Sequence, residues 1–248
     1  MTEITAIILA AGLGVRMGPR GKLSPKGLLS VGGTTMIEQS VASLRDWGAA
    51  HIRIVTGHLA GQYQDAFADS DVELVHNPHY ATTGSLLTLM IALEGITTPC
   101  VILESDLIYA PEALDALDGT GNRLIVSGPT GAGDEVYVWA HGAQGGPEHL
   151  VDISKDRAAR SEPPFGELVG ITGLTAASVE NMRRIGPQVL SRNPEEHYEP
   201  GLVALGRAVG IEVFRIDDLP WAEVDDEAML KRAEDLVFPR VQAARARR

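Results

Sequence analysis

The first 110 residues alternate between short apolar runs and amphipathic segments, and this alternation strongly constrains the fold. The run ITAIILA at residues 4–10 ends at glycine, which is typical of a strand buried on both faces of a parallel sheet. The segments HIRIVTG, DVELVHNP and CVILESDLIY are also strand-like. Helical patterns separate them in TMIEQSVASLRDWG, around residues 60–68, and in SLLTLMIALEG. Such βαβ units predict an α/β fold with a doubly wound, mostly parallel sheet.

The pattern loosens after the helical segment PEALDAL. Four strand-like pieces, NRLIVSGPT, DEVYVWAHG, HLVDISK and LVGITGLT, then lie close together in the sequence. They predict an antiparallel edge or a small additional lobe. Helices at 176–190 and 198–209, the strand GIEVFRID and a closing helix from Asp226 complete a single domain over residues 1–248.

Composition excludes several classes of protein. The formal net charge of −12 argues against a nucleic-acid-binding surface, which requires a basic stripe. No apolar run reaches the length of a membrane-spanning helix, and the first residues do not resemble a signal peptide. The single cysteine, Cys100, lies in an apolar strand and is interpreted as a buried core residue. We therefore expect a cytoplasmic protein without a membrane or nucleic-acid partner.

A glycine-rich loop follows the first predicted strand and suggests phosphate binding. It does not fit the dinucleotide fingerprint, because Met17 stands where the third glycine is needed and no acidic residue ends the second strand. It does not fit the P-loop, because Arg16 replaces a glycine and Leu23 replaces the hydroxyl residue.

A longer phosphate loop is the remaining interpretation, with an ordinary turn bearing surface basic residues as the alternative. Backbone amides of residues 11–14 could approach a polyphosphate, with Arg16 for bidentate contact and Lys26 as a mobile charge. The sequence LAAGLGVRMG, followed by PKGLL, resembles the signature of nucleotidyltransferases that join a nucleoside triphosphate to a phosphorylated acceptor. This resemblance implies a Rossmann-like nucleotidyltransferase fold.

Carboxylates follow two of the predicted strands. Asp106 ends CVILESD at the carboxyl edge of the sheet, with Glu104 two residues earlier on the same face. The resemblance implies that Asp106 and Asp225, from the late motif WAEVDD, bind Mg²⁺ and that Glu223 assists. The alternative is that these acidic residues only cap helices, a role that Asp226 fits best.

The stretch HNPHYATTGSLLTLMIAL, together with ESDLIY, resembles cytidylyltransferases that act on phosphocholine, 2-aminoethylphosphonate and related phosphonates. The resemblance covers nearly the whole chain and implies Mg²⁺-dependent transfer of CMP from CTP. Hydroxyls and free amides at the start of the helix, around Thr83 and Ser85, could bind the base or an anion. The predicted nucleotide-binding residues are Leu9, Ala10, Ala11, Gly12, Gly14, Arg16, Thr83, Gly84 and Ser85.

The middle of the chain is predicted to hold the acceptor. Residues 1–118 would form the nucleotide-binding core, about 119–200 the acceptor-binding part, and 201–248 the closing strand and helix. An aromatic box would favour a quaternary ammonium, and an acidic partner alone would suit a primary amine. The predicted acceptor-binding residues are Lys26, Tyr137, Lys155, Tyr198 and Glu199, and the predicted catalytic residues are Lys26, Arg16 and Asp106.

The predicted partners are CTP and a small phosphonate or phosphate acceptor, with a homodimer as a possible assembly. Two alternatives stay open at this stage. One keeps the fold and changes the substrate, giving a sugar-1-phosphate or molybdopterin nucleotidyltransferase. The other is a nucleotide-sensing protein without turnover.

Overall fold

The strands follow the apolar runs of the sequence in the computed structural model, which describes residues 3–117, 121–143 and 145–247. In chain order they are β1 Thr5–Ala10, β2 Ser30–Val31, β3 Thr34–Thr35, β4 His51–Thr56, β5 Glu73–His76, β6 Cys100–Glu104, β7 Leu107–Tyr109, β8 Arg123–Ser127, β9 Tyr137–His141, β10 His149–Ser154, β11 Gly166–Leu174, β12 Glu212–Ile216 and β13 Trp221–Glu223.

The helices confirm most of the predicted boundaries. They are α1 Met36–Trp47, α2 Ala60–Ala66, α3 Ser85–Ala92, α4 Glu112–Asp115, α5 Ala176–Leu190, α6 Tyr198–Val209, α7 Glu227–Arg232 and α8 Phe238–Arg245. A capping box between Thr35 and Glu38 starts α1, and Gly48 in a left-handed conformation ends it. Asp226 caps α7, as its side chain accepts a hydrogen bond from the Met229 amide at 2.8 Å.

One part of the main sheet has the order β5-β4-β1-β6, and its strands are parallel, as the βαβ pattern predicts. Helices cover both faces of the sheet, so alternate residues of β1 pack in two different cores. Ile7 and Leu9 pack in one core with residues of α3 and α5, and Ala6 and Ile8 pack in the other with residues of α1. Because β1 and β6 are parallel neighbours, their carboxyl ends lie side by side at one edge of the sheet.

The second part of the sheet differs from the predicted antiparallel edge. The order continues from β6 through β11-β8-β12-β10-β9, and β9 also pairs with β11. In the described residues these strands form a closed barrel of five strands, and the antiparallel β11 lies in the middle of the sheet. The pairing of β11 with β8 shifts register between Leu168 and Thr172. This irregularity bends the strand, so one end pairs with β6 and the other closes the barrel.

Two further details differ from the sequence prediction. The segment CVILESDLIY forms two strands, because a turn at Ser105 and Asp106 separates β6 from β7, which pairs with β13 instead. This pairing places β13, which ends at Glu223, beside the turn that carries Asp106. The predicted division between 118 and 119 lies outside the described residues. None of the described helices is long and apolar enough to cross a membrane.

Candidate active site

A cleft of about 560 Å³ opens at the carboxyl ends of β1 and β6 and brings most of the predicted site residues together. Elements that are distant in the sequence line it, namely the glycine-rich loop, the start of α3, the turn after β6, the start of α6 and the end of β13. The predicted residues that line it are Leu9, Ala10, Ala11, Gly12, Arg16, Lys26, Thr83, Gly84, Ser85, Asp106, Lys155, Tyr198, Glu199, Glu223 and Asp225.

The glycine-rich loop folds back on itself in short 3₁₀ turns at Val15–Met17, Arg20–Lys22 and Lys26–Leu28. Gly14 has φ 62°, and a Cβ there would lie 3.3 Å from Cγ of Lys26. The glycine therefore permits both the left-handed backbone and the close packing of the Lys26 stem. His58 Nε2 contacts the Gly21 carbonyl at 2.8 Å and fixes the outer part of the loop.

Lys26 connects the two predicted metal-binding aspartates. Its ammonium forms an ion pair with Asp106 and lies 2.6 Å from Oδ1 of Asp225. Burial by itself would lower the pKa of Lys26, but the two aspartates raise it well above its usual range. The ammonium therefore stays charged and holds two buried carboxylates close to each other.

Arg16 extends this set of charges toward the barrel. Its Nη2 lies 2.6 Å from Oδ2 of Asp225, and its Nη1 donates to Oδ2 of Asp134. Lys155, in the segment after β10, donates to the same Asp134 oxygen at 2.9 Å. All three predicted phosphate-binding cations are thus paired with carboxylates. Asp134 is not among the residues predicted from the sequence, and its one signal there is its place in a glycine-rich turn before β9.

Three carboxylates form a cluster beside Lys26. Glu104, Asp106 and Glu223 each offer an oxygen, and these oxygens lie within 4.8 Å of one another. Burial and the neighbouring carboxylates raise the pKa of Glu104 and Glu223 above the usual range. Three carboxyl oxygens this close fit a hard cation such as Mg²⁺, which would favour their ionised forms.

The metal set predicted from the sequence overlaps this cluster without matching it. Asp106 and Glu223 belong to both, and the structure adds Glu104. Asp225 instead directs its oxygens toward Lys26 and Arg16. Metal binding by Asp106, Asp225 and Glu223 stays a prediction.

The start of α3 is less available for ligands than the sequence suggests. The Gly84 amide donates to the Pro194 carbonyl at 3.4 Å, and the Leu86 amide donates to the Glu196 carbonyl at 3.2 Å. The prediction of free amides is wrong at these two positions, because the segment before α6 packs directly on Gly84. The Ser85 hydroxyl accepts from the Tyr198 amide at 3.0 Å. Nucleotide binding by Thr83, Gly84 and Ser85 stays a prediction.

Tyr198 and Glu199, at the start of α6, place polar groups in the cleft. The Tyr198 hydroxyl donates to Glu104 at 2.6 Å. Oε2 of Glu199 is buried without a hydrogen-bond partner among the described residues, and burial raises the pKa of this carboxyl. A cationic ligand would satisfy this oxygen.

Tyr137 is not among the residues that line the cleft, and its role in acceptor binding stays a prediction. Its neighbour Val136 faces the cleft, and adjacent residues of an extended chain point to opposite sides. Tyr137 packs instead against Trp139, with ring centroids 6.4 Å apart. The indole N–H of Trp139 donates to the Glu162 carbonyl at 2.9 Å, so this side chain is also committed elsewhere.

Comparisons with known proteins agree on one family. A family model described as a MobA-like NTP transferase domain matches residues 6–159. The chain is 27% identical over 243 residues to CMP-5'-(3-aminopropyl)phosphonate synthase of Streptomyces rubellomurinus, and this match covers 93% of this chain and 38% of that protein. It is 36% identical over 114 residues to 2-aminoethylphosphonate cytidylyltransferase of Lancefieldella rimae, and this match covers 44% of this chain and 46% of that protein. The matches span less than half of either relative.

The fold is also found in a solved structure. CTP:phosphocholine cytidylyltransferase from Streptococcus pneumoniae superposes with a TM-score of 0.77 and covers 94% of this chain and 99% of its own. The two sequences are 19% identical. This similarity concerns the fold.

Proposed function

The chain belongs to the family of MobA-like NTP transferase domains, and on that premise we propose that it transfers CMP from CTP to a small phosphonate or phosphate monoester. The observation that carries the proposal is the position of Lys26 between Asp106 and Asp225, with its stem packed against Gly14 of the glycine-rich loop. The Lys26 ammonium would supply positive charge for a triphosphate, and the neighbouring carboxylates would bind its metal ion. The activities named for the two relatives support the choice of CTP and of a phosphonate.

The proposed reaction replaces one phosphorus–oxygen bond by another. An oxygen of the acceptor phosphonate attacks the α-phosphorus of CTP, the bond from that phosphorus to the bridging oxygen breaks, and its electron pair leaves with pyrophosphate. The attacking oxygen is ionised at neutral pH, so no general base is needed. Catalysis then depends on positioning and on neutralising negative charge.

The cations around the loop have separate roles in this proposal. Lys26 neutralises charge on the α-phosphate or the acceptor, and Arg16 contacts the leaving pyrophosphate. Lys155 binds the phosphonate of the acceptor. Mg²⁺ held by Asp106 and Asp225, with help from Glu223, would supply further positive charge to the phosphate oxygens.

The start of α6 favours an acceptor with a primary amine. Neither Tyr137 nor Trp139 lines the cleft; the tyrosines that do are Tyr63, Tyr80 and Tyr198, and the Tyr198 hydroxyl donates to Glu104. Glu199 offers a buried oxygen without a partner among the described residues, which suits an ammonium hydrogen-bond donor. We therefore place aminoalkylphosphonates ahead of phosphocholine as acceptors.

Measurement of pyrophosphate release tests the proposal. The purified protein with Mg²⁺ would be given CTP, UTP, GTP or ATP, each with 2-aminoethylphosphonate, 3-aminopropylphosphonate, phosphocholine or glucose 1-phosphate. We expect release with CTP and an aminoalkylphosphonate, and loss of release in Asp106→Asn. Preference for another triphosphate with the sugar phosphate would instead support the sugar-1-phosphate alternative. Binding of CTP without release for any acceptor would support a sensing role.

A further inference from the structure

Asp134 is paired with both Arg16 and Lys155, although it has no role in the proposed reaction. One oxygen, Oδ2, accepts from Arg16 and from Lys155. Arg16 comes from the loop after β1 and Lys155 from the segment after β10, so this carboxylate joins the two sides of the cleft. Hydrogen bonds from Lys155 and Arg16 outweigh the effect of burial and lower the pKa of Asp134, which keeps it ionised.

The loop that carries Asp134 is anchored to two other elements. The Thr130 amide donates to Glu167 of β11 at 2.9 Å, and Arg232 of α7 donates to the Thr130 carbonyl at 3.1 Å. Arg16 also pairs with the buried Asp225, but the side chains of Arg16 and Lys155 are each 52% exposed, compared with 27% for Asp134. The carboxylate is thus the more buried partner, and the two long cationic side chains are the groups that can move away from it.

We propose that Asp134 is an internal competitor for the phosphate-binding cations and promotes release of pyrophosphate. It occupies Arg16 and Lys155 in the free protein, and a substrate anion must take their hydrogen bonds from this carboxylate. When pyrophosphate leaves, Asp134 pairs with the same cations again. This inference rests on the proposed function, because that function assigns Arg16 to pyrophosphate and Lys155 to the acceptor.

Competition by Asp134 and positioning of Arg16 by Asp134 predict opposite effects on pyrophosphate binding when Asp134 is removed. If Asp134 only positioned Arg16, its loss would weaken anion binding. If it competes, its loss frees the cations, so pyrophosphate binds more tightly and leaves more slowly. The effect is expected to be about fivefold at low ionic strength, because the ion pairs are partly exposed, and to shrink when salt screens the charges.

Titration calorimetry with magnesium pyrophosphate separates these outcomes. We compare the unmodified protein with Asp134→Asn and with the control Glu135→Gln, which removes the same charge from the neighbouring residue. The Glu135 carboxylate accepts from the Gly133 amide at 2.9 Å, a contact that glutamine keeps. We expect tighter binding in Asp134→Asn, a much smaller change in Glu135→Gln, and a reduced difference at high salt. Product inhibition by pyrophosphate should strengthen in parallel.

Arg16→Gln distinguishes failure of this inference from failure of the proposed function. We expect it to weaken pyrophosphate binding and to reduce the effect of Asp134→Asn in the double variant. If Asp134→Asn leaves pyrophosphate binding unchanged or weakens it, while Arg16→Gln still weakens it, this inference alone is overturned. Unchanged binding in Arg16→Gln would overturn the proposed role of Arg16, and the inference would fail with it.

Discussion

Lys26 Nζ lies 2.6 Å from Oδ1 of Asp225, although the two residues are 199 positions apart in the chain. The contact joins the first loop of the fold to the segment that precedes the last helices. Asp225 is almost fully buried, with 2% of its side chain exposed. A carboxylate in such a place needs a cation, so the pair connects the packing of the domain to the chemistry of its cleft.

Replacement of Lys26 by alanine is predicted to reduce kcat/KM by roughly 100-fold, which corresponds to about 3 kcal/mol of transition-state stabilisation from one charged donor. Steady-state pyrophosphate release with CTP and an aminoalkylphosphonate measures the effect. Lys22→Ala is the matched control, because Lys22 lies in the same loop and is exposed. Near-normal turnover in Lys26→Ala would remove Lys26 from the catalytic residues.

Mg²⁺ is predicted to raise the melting temperature relative to protein treated with a chelator. A ligand at about 100 times its Kd adds about 2.7 kcal/mol when it binds only the folded state. The carboxylate cluster supplies the physical reason, because a bound Mg²⁺ would offset the burial and the repulsion that raise the pKa of Glu104 and Glu223. We expect Asp106→Asn to lose this stabilisation, and Asp69→Asn, at an exposed position, to keep it. Equal melting temperatures with and without Mg²⁺ would contradict the predicted site.

Glu199→Gln is predicted to raise KM for 2-aminoethylphosphonate by about tenfold, the loss expected for a hydrogen bond to a charged group. Ethylphosphonate, which has no amine, serves as the control substrate, and its KM should change little. The comparison of the two KM values in wild type and variant is the measurement. An equal change for both substrates would show that Glu199 does not contact the amine.

Gly14→Ala is predicted to destabilise the loop, because a left-handed backbone costs a residue with a Cβ about 1–2 kcal/mol. The added methyl group would also press on the Lys26 stem, so activity should fall together with the free energy of unfolding. Gly61→Ala is the control. Gly61 lies inside α2 with open space around its Cα, so alanine there should stabilise the protein by about 0.5–1 kcal/mol. Denaturant unfolding of both variants tests the pair of predictions.

Cys100 is predicted to resist alkylation in the native protein. Burial raises the pKa of its thiol to about 12, so at pH 8 the group is protonated as well as inaccessible. Mass spectrometry after incubation with iodoacetamide should show an unmodified chain, and the same treatment in denaturant should modify it. Rapid native labelling would mean that β6 opens to solvent.

The sequence by itself determined the local structure of this protein and the identity of most cleft residues. The βαβ pattern of the first half, the capping box at Thr35 and the cap at Asp226 depend on neighbouring residues, so they can be found without knowledge of the fold. Asp106 could be placed at the sheet edge because its strand is a plain apolar run. The match of Asp225 to a motif brought it into the same site.

Only the tertiary structure decided which distant groups meet. The insertion of β11 between β6 and β8 depends on long-range pairing, which local periodicity does not specify. The same is true of the orientation of Tyr137 away from the cleft and of the carbonyls that occupy the amides of α3. The bridge from Arg16 through Asp134 to Lys155 also needs three segments to be close in space. Side-chain direction and charge pairing follow from strand register and packing, and these are fixed only when the whole chain folds.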